Sequence, residues 1–174
     1  MADTARSLDV VKRVVEMCDF IENPAIQETV RNKIVPVSMV SDINSVLKIS
    51  VWVGLGIVGL WASLDAFAER TNLTKWCPTC RGEKNCVWAR FEPYASGDEG
   101  EVLKELQDLR HLYAHNYAGE ADSKHFSRSR HVLQSDKSRQ LKSNALFSGN
   151  QPHLDLTHLR TYAFTVQGVL ERIP

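Results

Sequence analysis

The stretch Ile49-Ser50-Val51-Trp52-Val53-Gly54-Leu55-Gly56-Ile57-Val58-Gly59-Leu60-Trp61-Ala62-Ser63-Leu64 contains no formal charge, and three readings compete for it. Gly54, Gly56 and Gly59 satisfy the GxGxxG spacing of a dinucleotide-binding turn. That turn works only between a strand and a helix, inside a repeating βαβ unit whose later strands complete a parallel sheet. No downstream segment supplies those strands. A membrane span needs roughly 18–20 apolar residues, and Lys48 and Asp65 bound a shorter run. The third reading is a buried core helix in which the glycines let other helices approach closely, at a propensity cost of about 1 kcal/mol each relative to Ala. This reading places the chain in the all-α class, with no membrane contact.

The flanking sequence agrees with it. Leu8, Val11, Val14, Val15, Cys18 and Ile21 recur at helical spacing over residues 5–22, and Asn23-Pro24 punctuates their end. Residues 25–34 read as a short helical or irregular link before Pro36. Ser41 or Asp42 caps a long helix that runs to about Arg70, where Asn72 closes it. Residues 74–97 contain Pro78, Gly82, Pro93 and Gly97, show no period, and read as a loop or insertion. A second strong helix spans 98–118, with Val102, Leu106, Leu109 and Tyr113 on one stripe and Gly119 as terminator. Residues 119–152 are a polar, basic connection with short apolar runs at His131-Val132-Leu133 and Ala145-Leu146-Phe147 and room for a small hairpin. Asp155 or Thr157 caps a last helix within 153–173, carrying His158, Leu159, Tyr162, Phe164, Val166, Val169 and Leu170. At 174 residues the chain is expected to be one domain, a four- to five-helix bundle around a single core.

Lys plus Arg number 21 and Asp plus Glu number 21, so the overall field favours neither an anionic nor a cationic partner. Local charge is uneven. Lys124, Arg128, Arg130, Lys137, Arg139 and Lys142 face only Asp136 between 124 and 142, a run that attracts phosphates, whereas Asp98, Glu99, Glu101, Glu105 and Asp108 face only Lys104. The first twenty residues mix charges with helical apolar spacing, so no secretory signal is expected and the chain is read as cytoplasmic. Cys77, Cys80 and Cys86 form CxxCx5C, three thiols where a closed zinc site needs four ligands. A histidine, Cys18 or a second chain completes the set if zinc binds; free thiols are the alternative in a reducing compartment, where a disulfide is disfavoured.

Residues 110–117 read Arg-His-Leu-Tyr-Ala-His-Asn-Tyr. His111 and His115 stand at i and i+4, a spacing that grips metal, but the place of the catalytic Glu in HExxH holds Leu112. Arg110 and His115 suit a different chemistry. RNA cleavage without metal requires a proton to leave the ribose 2′-hydroxyl, a proton to reach the departing 5′-oxygen, and cationic support for the phosphorane between them. Imidazole exchanges protons near neutrality, and guanidinium grips two phosphate oxygens through its planar fork. A structural alternative remains open: cationic side chains at a helix C-terminus favour its dipole, and the two tyrosines pack as ordinary aromatics.

Arg110, four residues and then His115 resembles the RxxxxH motif of the HEPN superfamily, and Tyr117 extends it to the RxxxxHxY form. The resemblance covers 110–117 in motif and about 42–172 in helical architecture. It implies a metal-independent endoribonuclease of toxin–antitoxin or antiviral-defence type, leaving 2′,3′-cyclic phosphate and 5′-hydroxyl ends. In that assignment Arg110 and His115 are catalytic and His111, Asn116 and Tyr117 support them. Lys124, Arg128 and Arg130 contact RNA, no cofactor is required, and an antitoxin or defence-system component is an expected partner. The family also implies that the tyrosine at 117 is a site of adenylylation. Residues 74–97 and the long basic connection depart from the compact toxins of the family. A non-catalytic module binding RNA, a nucleotide or a protein is the rival reading.

Helix geometry adds a condition. Five residues advance about 500°, or about 140° beyond one full turn, so Arg110 and His115 of one ideal helix diverge. A homodimer or higher homo-oligomer, which the resemblance also implies, brings the two residue types together from paired subunits.

Overall fold

The computed structural model describes residues 2–34, 49–73, 87–115, 146–148 and 151–174. In chain order these form α1 (Ala2–Glu22), α2 (Pro24–Ile34), α3 (Ile49–Arg70), α4 (Val87–Phe91), a 3-10 turn (Glu92–Tyr94), α5 (Glu99–His115), β1 (Leu146–Ser148), β2 (Gln151–His153) and α6 (Leu156–Glu171). The architecture is a helical bundle. Its one described strand pair is antiparallel, with Leu146 opposite His153 and Ser148 opposite Gln151, and lies at the end of the segment expected to hold a hairpin.

The uncharged stretch is helical throughout and lies at the centre of the bundle, where α3 packs against α1, α5 and α6. Val53, Ile57, Leu60, Leu64 and Phe67 are almost wholly buried, each worth about 1.5–3 kcal/mol relative to exposure. Two of the three glycines are explained by close neighbours. A Cβ on Gly54 would lie 2.5 Å from Tyr113 Cδ1 of α5, and one on Gly56 would lie 2.5 Å from Leu159 Cδ2 of α6. Gly59 departs from the expectation: among the described residues nothing lies within 4 Å of a Cβ there, so none of the described helices exploits its small size. It belongs to the outward face of α3, with Trp52 and Leu55, which are 41% and 58% exposed. The uncharged run is shorter than a membrane span, but the complete helix of 22 residues is long and apolar enough to be one; just over half of that stretch is buried in the bundle.

Asn72 ends α3 as expected, and the mechanism is visible. It adopts φ 53°, Leu73 N donates to Ala68 O at 3.0 Å, and Asn72 N donates to Glu69 O at 3.4 Å. This is a Schellman closure with asparagine in the left-handed position, and Leu73 packs onto the core beyond it.

The link at 25–34, read as helical or irregular, is a regular helix, α2. Two elements differ from the sequence reading. The supposed loop at 74–97 contains α4, whose Val87, Trp88, Ala89 and Phe91 are all buried; Phe91 meets Phe67 of α3 with ring centroids 6.0 Å apart. Five residues are too few to display a period, so aromatic anchors set this helix rather than amphipathic spacing. On α6, Phe164 is 55% exposed rather than in the core. The cap of α6 is Asp155 and not Thr157. Asp155 Oδ1 accepts from His158 N, and His158 Nδ1 accepts from Asp155 N, both at 3.0 Å, a reciprocal capping box.

Ion pairs fix the helix directions. Arg70 at the end of α3 meets Asp3 at the start of α1 at 2.6 Å. Arg160 near the start of α6 spans Asp19 and Glu22 at the end of α1, both at 2.6 Å. Arg172, just beyond α6, donates to both Glu99 carboxylate oxygens at 2.6 and 2.9 Å and to Tyr94 O at 2.8 Å. The end of α5 therefore shares one end of the bundle with the starts of α3 and α6.

Gly56→Ala is expected to destabilise the fold by about 1–3 kcal/mol through overpacking against Leu159. Gly59→Ala is expected to stabilise it by about 0.5–1 kcal/mol, because space is free and helix propensity rises. Urea denaturation checks both. Arg172 holds the Glu99 carboxyl below the usual carboxylate range, so its contribution is present above the unfolded pKa and is lost as pH falls through the folded value. Glu99→Gln is expected to show a smaller loss of urea midpoint than wild type between about pH 5 and about pH 3.

Candidate active site

The motif helix α5 begins beside Gly97, which has φ 53°. The Glu99 carboxylate accepts from Ser96 N at 2.7 Å and Ser96 Oγ at 3.0 Å, and Glu99 and Glu101 place negative charge at the positive end of the helix dipole. Val102, Leu103, Leu106, Leu109 and Leu112 are buried along its length, a wider stripe than the spacing alone suggests. Lys104 lies over the Trp88 ring, 4.5 Å from its centroid, and thereby covers α4.

Two acids of the motif helix are core residues. Glu105 is 0% exposed and Asp108 is 2% exposed, and neither lacks an interaction partner. A buried carboxylate is costly unless it is engaged, so these two are engaged core groups rather than solvated surface charge. In the sequence they count only as part of an acidic run.

The helix remains α-helical through His115. Arg110 and His111 are half-buried, Leu112 is fully buried, Tyr113 is half-buried against α3, and Ala114 is exposed. Burial pushes the Tyr113 phenol up to about 12, so it is neutral at physiological pH. Because α5 does not unwind between 110 and 115, the two motif positions face about 140° apart on one helix. Nothing in a single helix therefore directs both at one phosphate. Leu112 occupies the place of the metalloprotease glutamate and is spent on the core.

The remaining candidates fall elsewhere. The side chain of His115 lies outside the described part of the structure, as do Asn116, Tyr117, Lys124, Arg128 and Arg130, and Cys77, Cys80 and Cys86. Cys18, considered above as a fourth zinc ligand, is fully buried in α1, and burial pushes its thiol up to about 11. Among the described residues, no group of three His, Cys, Asp or Glu side chains is placed to hold a metal ion. Sequence reasoning missed the contact between Tyr113 and Gly54. Its only trace was the glycine spacing, which signals a close approach without naming what approaches.

A scan against protein-family models, a search of curated proteins and a search of solved structures each found no match to this chain.

Proposed function

We propose that the protein is a metal-independent endoribonuclease of the HEPN type. The observation that supports this most is that Arg110 and His115 both belong to the last two turns of α5, an unbroken helix held inside a helical bundle, with Arg110 only half-buried. In this reading His115 takes the proton from a ribose 2′-hydroxyl. The 2′-oxygen then bonds to the adjacent phosphorus, the bond to the 5′-oxygen breaks, and that oxygen leaves with a proton given by a His115 imidazolium of the site. Arg110 neutralises the phosphorane through its fork of N–H donors. His111, Asn116 and Tyr117 orient the imidazole or the substrate. Lys124, Arg128 and Arg130 hold flanking phosphates, a term that weakens with added salt.

The divergence of positions 110 and 115 makes a twofold pair of chains the working unit, in which one copy's guanidinium and the other's imidazole share a phosphate. A toxin or antiviral-defence setting, with an antitoxin or another system component as regulator, is part of the same proposal. Zinc at Cys77, Cys80 and Cys86 would have a structural role and no part in the chemistry.

Incubation of labelled single-stranded RNA in EDTA tests this reading. Wild type is expected to cleave it to 2′,3′-cyclic phosphate and 5′-hydroxyl termini. His115→Ala is expected to lower the rate by about 10²- to 10⁴-fold and Arg110→Ala by about 10²- to 10³-fold, with the helical circular dichroism unchanged. Cleavage that survives in both variants, or that stops on chelation, contradicts the assignment. RNA binding without turnover by wild type supports the non-catalytic module instead.

A further inference from the structure

Where a turn of a helix sits depends on what its side chains grip. Among the described residues in the last turns of α5, Leu109 and Leu112 are fully buried, and Tyr113 lays its ring over Gly54 of α3. A Cβ at Gly54 would meet Tyr113 Cδ1 at 2.5 Å, Cε1 at 3.0 Å and Cγ at 3.3 Å. These atoms form one rigid edge of the ring, running back to its root. A swinging side-chain tip therefore cannot make room for a methyl group; either the whole ring turns out or the two helices separate.

The position of this contact matters. Tyr113 follows Arg110 by three residues, so the two are neighbours on the helix surface, and it precedes His115 by two. Gly54 lies near the start of α3, at the same end of the bundle as the motif. Between α3 and the motif-bearing end of α5 there is thus a close approach of aromatic ring on bare backbone. Catalysis tolerates little error in such a setting, since a misplacement of about 1 Å costs on the order of 10²-fold in rate.

We propose that Tyr113, seated in the notch left by Gly54, is a positioning residue for the Arg110 and His115 site, setting how far and at what rotation the end of α5 stands from α3. This rests on the ribonuclease reading above. Tyr113 touches no reacting atom in it: the ring matters, and the hydroxyl does not.

The test is a size-exchange cycle with labelled single-stranded RNA, using wild type, Gly54→Ala, Tyr113→Leu, the double variant and Tyr113→Phe, with thermal denaturation recorded for each. Gly54→Ala is expected to lower kcat by about 10- to 100-fold with KM held within about threefold. Tyr113→Leu is expected to lower kcat in the same way, and it remains informative if Gly54→Ala fails to fold. In the double variant the new methyl occupies space that the ring vacated, so kcat is expected to recover above both single variants. Tyr113→Phe is expected to retain the wild-type rate.

Wild-type kcat in both single variants, or losses that simply multiply in the double variant, overturns the proposal. So does a Tyr113→Phe variant as inactive as His115→Ala, which would make the hydroxyl a chemical participant. A second readout does not require turnover: the imidazole resonances of His111 and His115 are expected to move in Gly54→Ala and to return in the double variant. If no RNA is cleaved, the ribonuclease reading fails by itself; if the imidazole resonances stay fixed, the positioning role fails by itself.

Discussion

The bundle depends on how closely other helices approach the first turns of α3. Gly54 and Gly56 stand two residues apart and present bare backbone to different neighbours, Tyr113 of α5 and Leu159 of α6. Each glycine weakens the isolated helix by about 1 kcal/mol relative to alanine. The packing it permits offsets that loss, because close contact brings dispersion and burial together over whole side chains. Gly59 carries the same intrinsic cost with nothing among the described residues beside it, so spacing alone does not name the contact point. With α3 fixed against two partners, α1 packs on it as a third and buries Val11, Val14, Cys18 and Ile21.

Much of this was legible in the residues. The stripe on α1, the helical state of the uncharged stretch, the Asn72 stop and the long motif helix all follow from period and termination signals that act within a few turns. Other features depend on partners distant in sequence and so leave no local trace. The burial of α4 arises because Trp88 and Phe91 find Lys104 and Phe67. Phe164 faces outward because the inward positions of α6 are held by Leu159, Tyr162, Ala163 and Val166. The cap of α6 is by contrast a local matter: Asp155 wins over Thr157 because His158, three residues on, can return the hydrogen bond. Glu105 and Asp108 look like surface charge in a string of letters, and only the assembled core reveals them as buried.

For the candidate site, the sequence supplied the pair Arg110 and His115, and the structure supplied the frame that carries it. The helix runs unbroken to His115, one face of its last turns is committed to the core through Leu109 and Leu112, and Tyr113 anchors it to α3. That frame accounts for the division of labour proposed along the motif. Apolar and aromatic positions set where the turn stands, and polar positions are left to meet a phosphate. The same frame separates positions 110 and 115 around the helix axis, which is why the proposed chemistry belongs to a pair of chains.

Nuclear Overhauser contacts in labelled protein report most directly on the proximity of α3 to its two neighbours. The packing predicts strong contacts from Gly54 Hα to the Tyr113 ring and from Gly56 Hα to the Leu159 methyl groups, with the Gly54 Hα resonances displaced by the ring current. Absence of both sets of contacts, with Gly54 Hα at ordinary helical shifts, would contradict it.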